Sequence, residues 1–254
     1  MSRRRWIADE VSGDRAALVG AHAEHLARVL RARVGQQFDI STERRVRAGR
    51  VVSVEDNRVE FILGEEVPER ATTQVSLLLS IFKFDRMEWA VEKCTELGAA
   101  RIVPLIASRT DVHLAKAATK RVERWRRIAR QASEQSRRAA PPEIALPIQL
   151  NRANLGATVD PVRIVLAESE QQVMLPDILH SAEGKQDSGI TRADPSAAAN
   201  ISSLALAVGP EGGWTADELK LFADCGWRAA SLGSRILRAE TAAIAAMAII
   251  MAEA

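Results

Sequence analysis

Two glycine-bearing loops near the C-terminal end of the chain hold the residue types best suited to chemistry. The first, Gly209-Pro210-Glu211-Gly212-Gly213, follows the apolar run Leu204 to Val208. The second runs from Gly233 to Thr241 and follows the apolar run Ala229 to Leu232. Apolar runs that stop at glycine read as buried strands bounded by turns. In open α/β sheets, ligands bind beyond the carboxyl ends of such strands. Glycine lets a backbone approach a ligand closely, so these loops can offer amides and carbonyls without side chains. Arg238 can place a cation beside developing negative charge, and Glu211 and Glu240 are carboxylates close by. No histidine or cysteine stands where an evident general base is needed; Glu211, Glu240 or solvent could serve. The first loop lacks the Lys-Ser/Thr of a P-loop, and no Gly-x-Gly-x-x-Gly occurs, so neither a P-loop nor a dinucleotide fold is indicated.

The elements that must position these loops are readable. Thr215-Ala216-Asp217-Glu218 is a capping box, so a helix starts at about Ala216 and ends at Gly226. A helix apolar on nearly all sides spans about Ala242 to Met251. Val75 to Phe82 is a continuous apolar strand of the kind covered on both faces. Phe84 to Leu97 turns Met87, Ala90, Val91, Cys94 and Leu97 inward, and Ile102 to Ile106 is the next strand, completing a βαβ unit. Residues 118 to 138 form a long helix with Val122, Trp125, Ala129 and Ala132 buried. Val162 to Ala167 is a further strand, ending in Glu168. The reading is an α/β domain with a parallel sheet over residues 74–254. Residues 1–70 differ: a short Trp6-Ile7 strand, a helix from His22 to Leu30, and strands at Phe38 to Ile40, Val46 to Val54 and Val59 to Leu63 make a small β-barrel with one helix. A proline-bearing boundary at Val67 to Thr73 separates the two, and residues 184–200 read as an insertion poor in apolar anchors.

Composition narrows the partners. The chain has 254 residues and a net charge of only +2. Yet residues 1–50 carry eleven Lys/Arg against six Asp/Glu, and residues 116–138 nine against two. Basic patches on a near-neutral chain point to a polyanion held at chosen surfaces. Cations at the end of the 118–138 helix are also what the helix dipole favours. Two cysteines, Cys94 and Cys225, give no disulfide framework, and the cytoplasm is the expected compartment. The four histidines have no metal-ligand spacing, so no metal is expected. The longest apolar segment is shorter than the ~20 residues a bilayer needs, so no membrane role is expected.

The pair Gly-Pro-Glu-Gly-Gly and Leu-Gly-Ser-Arg-Ile-Leu-Arg-Ala-Glu-Thr-Ala, at this spacing, resembles the RsmE family of SPOUT-class methyltransferases. Those enzymes use S-adenosyl-L-methionine to methylate N3 of a uridine in 16S ribosomal RNA of the small subunit. His-Leu-Ala-Arg-Val-Leu-Arg before Gly35 is similar to the family's PUA-like RNA-binding domain, although its Asp-Gly hairpin tip is replaced here by Ser41 to Arg45. Lys83, Arg86 and the helix ending Glu-Leu-Gly also fit, as do Ser108-Arg109-Thr110 and Glu134-Gln135-Ser136.

The resemblance implies a deep C-terminal trefoil knot and a homodimer. It implies a cofactor pocket walled by Leu166 and Glu168, by Val208 to Gly213 with Pro210 and Glu211, and by Leu232, Gly233, Ile236, Leu237, Arg238 and Thr241. Arg238 and Glu240 are the catalytic candidates; an ion pair with Glu240 or Glu211 is the structural alternative for Arg238. RNA contacts fall to Arg3, Arg4, His25, Arg28, Arg31 and Arg45 in the first domain, and to Lys83, Arg86, Arg109, Arg137 and Arg138 in the second. A SPOUT enzyme acting on a ribose 2′-hydroxyl and a non-catalytic RNA-binding protein remain open alternatives.

Overall fold

Alternation of apolar residues organises the N-terminal strands. The computed structural model describes residues 5–42, 45–67, 73–183 and 201–253. Arg3, Arg4, the tip residues Glu43 and Arg44, most of the expected linker and the 184–200 insertion lie outside those residues. By internal contacts the chain forms two compact units, Met1–Ala71 with Arg130–Pro141, and Thr72–Ala129 with Pro142–Ala254. The sequence division at about residue 70 does not anticipate that residues 130–141 belong to the first.

In the first unit, β1 (Arg5–Ile7), β2 (Glu10–Ser12) and β3 (Arg15–Val19) precede the short helix α1 (Ala21–Glu24). β4 (Gln37–Thr42), β5 (Arg45–Glu55) and β6 (Arg58–Glu66) follow, giving one sheet in the order β1-β4-β5-β6-β3-β2. β1 pairs parallel with β4 and the other pairs are antiparallel. Register shifts in β5 bend the sheet between Arg47 and Gly49 and between Val51 and Ser53. Gly49 sits so close to Ile40 that a Cβ would fall 2.3 Å from its Cγ1, so this strand position requires glycine. Trp6, Leu18, Leu26, Phe38, Ile40 and Phe61 form the core.

The expected single helix from His22 to Leu30 is instead α1 followed by a π-helical turn, His25–Val29. The β2–β3 hairpin, turning at Gly13 (φ 56), was not signalled by periodicity. A polar network joins the unit's two chain segments. His22 Nδ1 lies 3.1 Å from Asp9, its Nε2 lies 3.2 Å from Glu134, and Arg130 contacts both carboxylates.

The second unit is built on a sheet whose every pair is parallel. Its elements are β7 (Gln74–Ser80), α2 (Phe84–Glu96), β8 (Ala99–Ile106), α3 (Val112–Gln135), β9 (Glu143–Ile144), β10 (Ile148–Gln149), α4 (Arg152–Gly156), β11 (Val162–Leu166), α5 (Leu175–Glu183), β12 (Ser203–Val208), α6 (Ala216–Asp224), β13 (Arg228–Ala230) and α7 (Ala239–Glu253). The last turns of α3, from Arg130, belong to the first unit. Strand order is β10-β8-β7-β12-β11-β13, with β9 beside β8.

Alternate residues of each strand enter different cores, as a doubly covered sheet requires. Leu77, Leu204, Leu206 and Ile164 pack with α2, α3, α5 and α7. Leu78, Ala205, Ala207 and Val165 pack with Leu155, Phe222 and Trp227. The inward stripe of α2 is as expected, with Met87, Ala90, Val91 and Cys94 fully buried.

Several boundaries differ from the sequence reading. α3 begins six residues earlier than residue 118, because Asp111 accepts the amides of His113 (2.8 Å) and Leu114 (3.1 Å). Those two bonds hold the Asp111 carboxyl below its ordinary range. β13 stops at Ala230. α7 starts at Ala239 rather than Ala242, so Glu240 and Thr241 are helical.

Candidate active site

The loops leaving β11, β12 and β13 surround a cavity of about 610 Å3. That size falls within the ~300–1,000 Å3 typical of small-molecule sites. Every residue assigned to a cofactor from the sequence lines it, except Thr241. Glu240 does not line it either: α7 begins early enough to draw both into its first turn.

The β12–α6 loop is fixed from three directions. The Trp214 indole, nearly buried, donates to the Leu166 carbonyl at 2.8 Å and meets Phe222 edge-on at 4.9 Å. Gly209 lies against that indole, where a Cβ would come 3.2 Å from the ring. Arg109 reaches from the β8–α3 loop and donates to the carbonyls of Gly212 and Trp214. Glu218, 6% exposed, completes the capping box on Thr215 and uses its other oxygen to accept the Ser108 amide at 2.7 Å. Gly213 turns the loop at φ 70, and its amide donates to the Pro210 carbonyl at 2.8 Å.

The β13–α7 loop is different. Ser231 bonds locally to Gly233 through its hydroxyl, and Gly233 has φ 117 with open space where a Cβ would be. Beyond it, Arg235, Ile236 and Arg238 are exposed on the cavity wall.

Four arginines therefore line the cavity, and two are engaged. Arg86 pairs with Glu211 at 2.8 Å and faces Glu240 at 3.7 Å. Both carboxylates weighed as ion-pair partners of Arg238 are thus taken by Arg86, and Arg238 makes no ion pair among the described residues. Glu240 is only 3% exposed, and its Oε2 has no hydrogen-bond partner among the described residues. Arg86 and Arg109, expected on RNA, are the two cations committed to protein groups at the cavity.

The remaining RNA candidates are spread over both units. In the first, His25 is exposed with its ring 5.8 Å from Trp6, Arg28 pairs with Asp56, and Arg45 lies 4.0 Å from Glu66. Arg31 is exposed with φ 50, a left-handed conformation uncommon for a side-chain-bearing residue. Arg137 also has positive φ, and its carbonyl accepts a bond from Arg5, while burial pulls the Arg138 guanidinium below its ordinary value. Lys83, in the second unit, is exposed at the N-cap of α2. Trp214, Ser231 and Arg235 are cavity residues that the sequence reading passed over. Arg235 carried the same signal as Arg238, an arginine in the same polar loop. Among the described residues, no group of three or more His, Cys, Asp or Glu side chains is placed to hold a metal ion, and no helix is long and apolar enough to cross a membrane.

The sequence profile of the RNA methyltransferase domain family matches residues 69–251. The chain belongs to that family. Ribosomal RNA small subunit methyltransferase E of Bacillus subtilis is 30% identical over 238 residues, covering 92% of this chain and 88% of the relative. The namesake from Synechocystis is 33% identical over 180 residues, 70% of this chain but 53% of that longer protein. The crystal structure of ribosomal RNA small subunit methyltransferase E from Neisseria gonorrhoeae, bound to S-adenosyl methionine, superposes with a TM-score of 0.77 at 27% identity, covering 98% of this chain and 97% of that one. Within the RNA methyltransferase family, this chain thus shares its fold along nearly its whole length with a relative that binds S-adenosyl methionine.

Proposed function

We propose that this protein methylates N3 of a uridine in 16S ribosomal RNA of the small subunit, with S-adenosyl-L-methionine as methyl donor. The observation that carries the reading is the cavity itself: one wall of glycine backbone fixed in place, and another bearing Arg238, which has no ion pair among the described residues. The lining fits the donor. Gly209, Gly212, Gly213 and Gly233 give backbone access, Leu166, Val208, Leu232 and Leu237 give apolar surface, and Glu168 gives negative charge toward a cationic ligand. When bound, the donor supplies an electrophilic methyl carbon on a sulfonium.

The protein's own residues supply the rest. Alignment of the nucleophile with that carbon, with water excluded by the apolar wall, is the first contribution. Uracil N3 must lose its proton, taken up by solvent, before or during attack on the methyl carbon, and negative charge then spreads to O2 and O4. Arg238, held by no carboxylate among the described residues, stabilises that charge. Glu240, off the cavity and facing Arg86, acts as a holder of that arginine rather than as a proton acceptor.

The finer architecture belongs to the same proposal: a SPOUT-type trefoil knot around the cofactor loops, a PUA-like RNA-binding first unit, a homodimer through the apolar α7, and a cytoplasmic setting. The RNA-binding unit comprises residues 1–71 with 130–141. In it His25, Arg28, Arg31 and Arg45, with Arg137 and Arg138, contact the RNA backbone, so affinity falls steeply with salt.

Methyl transfer from labelled donor to small-subunit particles and to naked 16S RNA, with mass analysis of the released nucleosides, tests this. A 3-methyluridine product is expected. A ribose 2′-O-methyl product, or donor binding without transfer, would overturn the assignment.

A further inference from the structure

The β13–α7 loop carries more than Arg238. Arg235 lines the cavity three residues earlier, is exposed, and makes no ion pair or side-chain hydrogen bond among the described residues. Between the two cations Ile236 is 82% exposed although it too lines the cavity. The other cavity arginines contrast sharply. Arg86 is taken up by Glu211 and Glu240, and Arg109 by the carbonyls of Gly212 and Trp214. The loop therefore presents an uncovered apolar side chain flanked by two uncommitted guanidiniums.

We infer that Arg235 and Ile236 form the seat of the target nucleotide: Ile236 lies against the face of the base, Arg235 binds the adjoining phosphate, and Arg238 is left for the ring oxygens. The inference rests on the ribosomal RNA substrate proposed above. A base taken out of its stack loses contact on both faces, and apolar side chains in the pocket replace part of that contact. A phosphate is matched by the planar fork of an arginine, which makes two parallel charge-assisted bonds. A base face and a phosphate on one nucleotide are thus complementary to an isoleucine and an arginine on neighbouring residues. The cofactor's negative group is the competing ligand for Arg235, and the two assignments separate by experiment. If Arg235 binds RNA phosphate, its loss alters the salt dependence of RNA binding; if it binds the cofactor, its loss alters cofactor affinity.

The test compares the full-length wild type with Arg235→Gln, Arg235→Lys and Ile236→Ser. RNA affinity and KM are measured across a salt series, and cofactor affinity by calorimetry. Arg235→Gln is expected to raise the RNA KM roughly tenfold, as loss of a charged hydrogen bond does. The slope of log affinity against log salt should become shallower by about 0.7–1, the share of one phosphate contact. Arg235→Lys should restore the slope, because the charge is kept. Ile236→Ser should raise the KM with the slope unaltered. Cofactor affinity should be unchanged in Arg235→Gln. Weakened cofactor binding with an intact salt slope would assign Arg235 to the cofactor and overturn the seat. An Arg235→Gln protein indistinguishable from wild type in KM and slope would overturn it as well. Both results presuppose an active wild type; a wild type that transfers no methyl group to RNA would instead sink the substrate reading. Both residues are exposed, and matching thermal melting curves confirm that the variants are folded.

Discussion

The β12–α6 and β13–α7 loops face the same cavity yet are built in opposite ways. The first is bonded from outside itself at every corner: Trp214 to Leu166, Arg109 to Gly212, Glu218 to Ser108, and Glu211 to Arg86. The second is tied at its start, by the Ser231 backbone to Val173 and Leu175 and by the Ser231 hydroxyl to Gly233, and then projects Arg235, Ile236 and Arg238 from the wall. A preorganised wall suits a ligand of constant shape, since no ordering is paid for when it binds. A wall with uncommitted cations suits charge that appears only during reaction, or a partner arriving from outside. Under the proposed function, the fixed loop holds the cofactor, while Arg235, Ile236 and Arg238 of the second loop face the substrate.

Breaking the fixed wall should have the largest effect. Trp214→Ala removes a nearly buried indole, its bond to Leu166 and its contact with Phe222. A loss of about 3–5 kcal/mol of stability is expected in denaturant unfolding, with cofactor affinity falling in parallel. Glu218→Gln is subtler. Both carboxylate oxygens accept N–H bonds, from Ser108 and from Thr215. An amide has one oxygen only, so its NH2 group must face a donor. We expect a loss of about 1–3 kcal/mol with weakened cofactor binding. Retained cofactor affinity would show that the link to the β8–α3 loop is dispensable.

Cysteine reactivity sharpens the comparison further. Burial pushes the Cys94 thiol up to about 12, whereas Cys225 is only half-buried. A thiol reagent at pH 8 should modify Cys225 and spare Cys94. In Trp214→Ala, Cys94 should still be spared if the damage stays on that side of the sheet. The smallest effect is at the start of α3. Asp111 has a lowered folded-state pKa, so its contribution is present above the unfolded value of about 3.9 and is lost as pH falls through the folded one. Asp111→Asn should therefore be less stable than wild type at neutral pH, with the two curves converging in strong acid.

Local signals were legible in the sequence and long-range partners were not. The α2 stripe, the buried strands and the Thr215–Glu218 capping box depend on spacings of a few residues, and all are present. The reach of Glu218 to Ser108 spans 110 positions, Arg109 to Gly212 spans 103, and Arg86 to Glu211 spans 125. No local pattern announces such bonds, so Arg86 and Arg109 read as free cations. The β9 and β10 strands, two residues each, are too short to leave a period. The early start of α7 has a local cause that polar composition hid: Glu240 sits in its first turn, where the helix dipole favours a carboxylate. Residues 130–141 join the first unit through Arg130 and Glu134, which meet Asp9 and His22. A truncation at residue 70 therefore strips a polar network as well as a domain.

The division of the cavity is tested most directly by the single-turnover rate of Arg238→Ala with labelled donor and small-subunit RNA, at saturating cofactor whose affinity is measured on the same preparation. The account predicts cofactor affinity like that of the wild type and a rate lower by roughly 10²–10³-fold, the scale of losing one charge-stabilising group. A lost cofactor affinity with a normal rate at saturation would contradict it and place Arg238 on the cofactor's side of the cavity.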